Sequence, residues 1–127
     1  MSVYFARDSK NGWIKIGCSK NPEQRIKSIP SSLGHIVEDM ELLKVIDGSF
    51  DEEKFYQNLL HRSHVTISNS FNSYEWFHPS EDVMRFANMS VEHLNKLTVQ
   101  VRDVKCKYGS KVKFTFDGEK VNAKVSR

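Results

Sequence analysis

Three side chains near the amino end have types and spacings that can do chemistry together: Tyr4 in Val3-Tyr4-Phe5, Lys15 in Trp13-Ile14-Lys15-Ile16-Gly17, and Arg25 in Asn21-Pro22-Glu23-Gln24-Arg25-Ile26. The first two stretches are short apolar runs joined by Arg7-Asp8-Ser9-Lys10-Asn11-Gly12. They read as a β-hairpin, since β-branched and aromatic residues suit a half-buried strand and Asn-Gly supplies the positive φ of a tight turn. A tyrosine and a lysine then project from neighbouring strands. After Gly17, Asn21 can cap a helix, Pro22 fits its first position and Glu23 complements its dipole, so Arg25 falls on the first turn. A phenol, an ammonium and a guanidinium converge in this reading, and a cation close to a phenol favours its ionised form.

A fourth group, Glu52, belongs to a second helix expected over about residues 51–62, where Phe55, Tyr56, Leu59 and Leu60 form an apolar stripe. Glu52 lies three, four and seven residues before Phe55, Tyr56 and Leu59, which sets it on that stripe, with Glu53 at its edge. A core-facing carboxylate is expensive to desolvate unless a cation or hydrogen bonds compensate it, and a metal ion would do so. The plainer reading is that both glutamates occupy the first helical turn, where negative charge is worth ~0.3 to 1 kcal/mol against the dipole. Tyr4 as a half-buried sheet residue and Arg25 as a solvated charge are the corresponding plain readings.

The elements that must position these groups follow from the same patterns. Ile26 and Ile29 give the first helix an inner face, and Pro30 is expected to end it. Met40 to Ile46 reads as a third strand, partly covered on both faces. Ser63 to Tyr74 is a polar loop placed where a substrate could meet it. Trp76-Phe77 reads as a core anchor, and Ser80 or Pro79 opens a helix reaching about residue 97, interrupted near Asn88 to Ser90. From Thr98 the period changes: Val99, Val101 and Val104 alternate like a strand, and Lys111–Phe116 turns at Asp117-Gly118 into Val121–Val125 as a hairpin. The expected fold is α+β, a small, mainly antiparallel three-stranded sheet flanked by helices with a C-terminal β-hairpin. The chain divides into residues 1–97 and a basic β extension over 98–127.

At these residues the sequence resembles the GIY-YIG nuclease domain family, in the compact phage and bacterial branch whose second motif reads Lys-Ile-Gly. Val3-Tyr4-Phe5 looks like the first motif and Lys15-Ile16-Gly17 like the second. Arg25 falls at the helix arginine, Glu52 to Leu59 looks like the metal-binding glutamate helix, and Tyr74-Glu75-Trp76-Phe77 like the closing Glu-Trp-Phe block. The likeness covers about residues 2–90. It implies hydrolysis of phosphodiester bonds in DNA, a reaction that needs an activated water, a cation at the transferring phosphate and help for the leaving oxygen. It also implies catalytic roles for Tyr4, Lys15, Arg25 and Glu52. Tyr4 would act as general base or orient the water, Arg25 would contact the phosphate, and Glu52, with Glu53 as the alternative, would hold Mg²⁺ or Mn²⁺. Lys15 stands where the family keeps a second tyrosine; it could neutralise the phosphate or lower the phenol pKa of Tyr4. The position four after the ligand, often histidine in this branch, is Tyr56 counted from Glu52 and Gln57 counted from Glu53. These departures also fit a fold that binds nucleic acid, or a protein partner, without cutting.

Composition agrees with such a partner without requiring it. In 127 residues, 19 Lys and Arg against 16 Asp and Glu leave a net charge of +3, and the basic residues concentrate beyond Lys105. No run approaches the ~18 apolar residues of a membrane span. Met1-Ser2-Val3 enters a strand without a leader pattern, so a cytoplasmic location is expected. Cys18 and Cys106, far apart, read as free thiols. The five histidines show no shared metal-ligand spacing.

Overall fold

Val3, Tyr4, Phe5 and Ala6 are all buried, so successive side chains of one strand point into two different cores and both faces of the sheet must be covered. In the computed structural model, which describes residues 1–33, 36–66 and 75–126, this strand is β1 (Ser2–Asp8). It is flanked by β2 (Ile14–Ser19) and β3 (Met40–Asp47), and β4 (Trp76–Phe77) adds to β2. The order is β3-β1-β2-β4, antiparallel throughout. The sheet thus has four strands rather than the three expected. Trp76-Phe77 anchors the core as read, with Trp76 2% and Phe77 0% exposed, and also pairs with Ile14 and Lys15.

The β1–β2 turn is fixed by its own chemistry. Asp8 is fully buried, its carboxylate accepts from the amides of Lys10, Asn11 and Glu38, and Gly12 takes φ 75°.

One face carries α1 (Pro22–Leu33), whose Ile26 and Ile29 pack with Tyr4, Ala6, Val37, Val65 and Trp76. The helix passes through Pro30 instead of ending there. Proline removes one amide donor, but Ile26 and Ile29 hold the helix on the sheet just ahead of it. The other face carries α2 (Phe50–Leu59), α3 (Glu81–Asn88) and α4 (Val91–Tyr108) over Val3, Phe5, Ile14, Ile16, Ile46 and Phe77. Ser80 and Ser90 cap α3 and α4 through their hydroxyls, which sets the break expected near Asn88 to Ser90.

The strand expected at Val99 to Val104 is helical instead. Leu94, Thr98 and Val101 are buried at steps of four and three, a helical stripe that outweighs the local alternation. Val99 is 52% exposed, and the Thr98 hydroxyl donates to the Leu94 carbonyl at 2.9 Å. Position 98 therefore lies inside α4. The hairpin follows as β5 (Val112–Phe116) and β6 (Val121–Val125), seated on the core through Phe114 against Phe55 and Phe116 against Phe86. Residues 67–74 of the expected polar loop, and Gly34 and His35, lie outside the described residues.

Candidate active site

Tyr4 lies opposite Gly17 in the β1–β2 register, and its ring covers that glycine. A β-carbon at position 17 would lie 2.4 Å from the Tyr4 hydroxyl oxygen, so the Ile-Gly of the second strand is a close-approach glycine. The tyrosine is 1% exposed. Burial pushes its phenol up to about 12; Arg25 pulls the other way, while Glu75, Glu53 and Cys18 add to the rise. The expectation that a neighbouring lysine lowers this phenol is therefore corrected: desolvation dominates, and the cation opposing it is Arg25.

Lys15 points from the same face, since Ala6, two residues beyond Tyr4, is its cross-strand partner. Its ammonium donates to Glu75 Oε2 at 2.7 Å and lies 5.7 Å from the centre of the Trp76 ring. The pair is asymmetric, with the Lys15 side chain 5% exposed and that of Glu75 32%. The lysine is enclosed between β2 and β4, and its charge is taken up by Glu75.

The carboxylates of α2 divide. Because β4 pairs with β2 only at Ile14 and Lys15, α2 takes over the strand edge beyond, and Gln57 Nε2 donates to the Ile16 carbonyl at 2.9 Å. Glu52 closes a capping box with Ser49, accepting from its amide and hydroxyl, and pairs with Arg102 of α4. Burial pushes the Glu52 carboxyl up, but the Arg102 and Ser49 hydrogen bonds outweigh it and hold the carboxyl at about 2. Glu53 turns toward the Tyr4 side. Its carboxyl is raised by burial first and then by Glu75, with Lys15 and Lys54 opposing, and it has no hydrogen-bond or ion-pair partner among the described residues.

Arg25 is exposed on the first turns of α1, its Nη1 donating to Ser28 Oγ at 3.1 Å. Cys18 is half-buried and its thiol is raised, by burial first and then by Glu53, which makes it a neutral thiol at physiological pH.

The structure thus brings Tyr4, Lys15 and Arg25 into one electrostatic neighbourhood with Glu53 and Glu75, while Glu52 is engaged at the helix cap with Arg102. Sequence reasoning misses Glu75 as a site residue, although a lysine on an inward face of a central strand requires a counter-charge and Glu75 directly precedes the Trp-Phe anchor. A separate cavity of about 420 Å³ between α2 and α4 is lined by Phe55, Val101, Arg102 and Lys105.

Among the described residues no three His, Cys, Asp or Glu side chains converge as a ready metal cage. The donor set fits a hard divalent ion all the same, because Glu53 is an uncompensated, partly desolvated carboxylate, and Mg²⁺ takes one or two carboxylates and keeps several waters. Among the described residues no helix is long and apolar enough to cross a membrane.

Fold and site define an α+β domain in which a buried phenol, an exposed arginine and two carboxylates meet at one sheet edge. The chain belongs to the T5orf172 domain family, whose model matches residues 1–123, a domain related to GIY-YIG/HNH-type nuclease-like domains. Comparison with curated proteins and with solved structures returns no match.

Proposed function

We propose that this protein is a metal-dependent endonuclease of GIY-YIG type that hydrolyses phosphodiester bonds in DNA. The observation that carries the reading is the shared electrostatic neighbourhood of the Tyr4 phenol, the Arg25 guanidinium and the Glu53 carboxylate. Membership of a family related to nuclease-like domains supports it.

Glu53 rather than Glu52 holds Mg²⁺ or Mn²⁺ in this reading, because the Glu52 carboxylate is already neutralised by Arg102 and Ser49. The ion supplies positive charge at the transferring phosphate and a polarised water. Arg25, exposed and next to the phenol, contacts the phosphate as a planar double donor. Tyr4 stays protonated at neutral pH, so it orients the water or a phosphate oxygen by hydrogen bonding. Lys15, enclosed, fixes Glu75 rather than the substrate.

A second reading, nucleic-acid binding without turnover, is favoured by Gln57. It stands where this branch often carries histidine, and its amide is occupied with the Ile16 carbonyl. Supercoiled plasmid incubated with the purified protein and Mg²⁺ or Mn²⁺ separates the two. Nicking or linearisation that stops with a chelator and falls roughly 10²-fold or more in R25A supports the endonuclease. Retention of plasmid without cleavage under either ion overturns it in favour of binding.

A further inference from the structure

We propose that Glu75, fixed by the enclosed ammonium of Lys15, accepts the proton of the attacking water, with Lys15 as its positioning residue. This rests on the endonuclease reading and assigns a group that the reading leaves open. Tyr4, with a phenol pushed up to about 12, is a poor proton acceptor at neutral pH, and Glu53 is the metal carboxylate.

Three features of the Lys15–Glu75 pair point to more than charge balance. The contact is short, 2.7 Å, and uses Oε2; no described residue takes Oε1. The exposure is lopsided, 5% for the lysine against 32% for the glutamate, so the ammonium is closed off and the carboxylate is open to water. The open carboxylate lies among the reacting groups. It faces Tyr4 from β1, Lys15 from β2 and Glu53 from α2, with Arg25 from α1 across the phenol. A buried ammonium clamps one oxygen and leaves the other to a solvent molecule, the arrangement general-base catalysis requires.

In the step, the water oxygen forms a bond to phosphorus as one of its protons passes to Glu75 Oε1. The phosphorus–oxygen bond on the opposite side breaks with its electron pair on the departing oxygen, which takes a proton from solvent. Glu75 then releases its proton to solvent.

The test uses the full chain and a fluorescently labelled DNA duplex. Wild type, E75Q, E75D and the paired apolar replacement K15M/E75L are compared by thermal unfolding, by duplex binding in EDTA, and by kcat and KM in Mg²⁺. The double variant removes both charges, so it avoids stranding a buried ammonium. The proposal expects K15M/E75L to unfold cooperatively and bind the duplex as wild type does. It expects kcat to fall roughly 10²- to 10⁴-fold with KM unchanged, and E75D to recover part of the loss that E75Q shows. A folded K15M/E75L that cleaves at the wild-type rate overturns it and leaves Glu75 a counter-ion. A wild type that cleaves nothing under Mg²⁺ or Mn²⁺ overturns the endonuclease reading and this inference with it.

Discussion

At the scale of single residues, the site depends on how closely Tyr4 and Gly17 approach. A methyl group at position 17 would meet the phenol at its hydroxyl and at the ring carbon bearing it, 2.4 and 2.5 Å away, so G17A must push the ring out of its place between β1 and α1. Overpacking of this kind typically costs ~1 to 3 kcal/mol. We expect G17A to unfold earlier by that amount in a denaturant titration, and to lose cleavage even at temperatures where it is fully folded. Unchanged stability would show that the ring moves aside freely. Tyr4, Lys15, Arg25 and the α2 glutamates are legible in the sequence as chemistry-bearing types at suggestive spacings. The choice between Glu52 and Glu53 is not, because a helical stripe gives a direction only to within about one residue's rotation. The fold offers Glu52 a cap and an arginine fifty residues away, and neither is visible in the stripe.

At the scale of elements, α2 is held at its start by the Ser49–Glu52 box and tied to α4 by Arg102. The Glu52 carboxyl falls from 4.5 to about 2 on folding. A depressed folded value means that its contribution is fully present above about pH 4.5 and disappears as pH falls through about 2. E52Q should therefore lower stability by about 1 to 2 kcal/mol at neutral pH, the worth of a cap with one half-exposed ion pair. The gap between it and wild type should close on acidification through that window. Equal unfolding midpoints at pH 7 would contradict the assignment. The sequence misleads at this scale where local pattern and tertiary position disagree. Val99, Val101 and Val104 alternate, yet only Val101 joins the core, in a helix whose inner stripe includes a threonine made tolerable by its bond to Leu94. Proline at position 30 reads as a stop because the rule concerns one missing hydrogen bond, whereas α1 is held by two buried isoleucines.

At the scale of the molecule, two sheets share one core, and the chain's excess positive charge is concentrated at the carboxyl end. Lys113 and Lys124 are direct cross-strand partners on the exposed side of the β5–β6 hairpin, and like charges opposite one another are destabilising. If that hairpin meets a phosphate backbone, K113A/K124A should weaken duplex binding and reduce the salt slope of log K by about 2, roughly one for each phosphate that a lysine no longer neutralises. It should leave stability equal or slightly raised, and an unchanged slope would place the nucleic acid elsewhere. The hairpin itself is readable, because Asp-Gly between alternating apolar residues is a strong local signal. Its seat on Phe55 and Phe86 depends on pairings far apart in sequence, which no local pattern encodes.

The account turns on which carboxylate of α2 belongs to the site with Tyr4 and Arg25. Plasmid cleavage by E52Q and E53Q, each measured where unfolding curves show it folded, compares them directly. The account predicts that E53Q loses cleavage while E52Q, though less stable, retains it. Cleavage kept by E53Q and abolished in folded E52Q would contradict it.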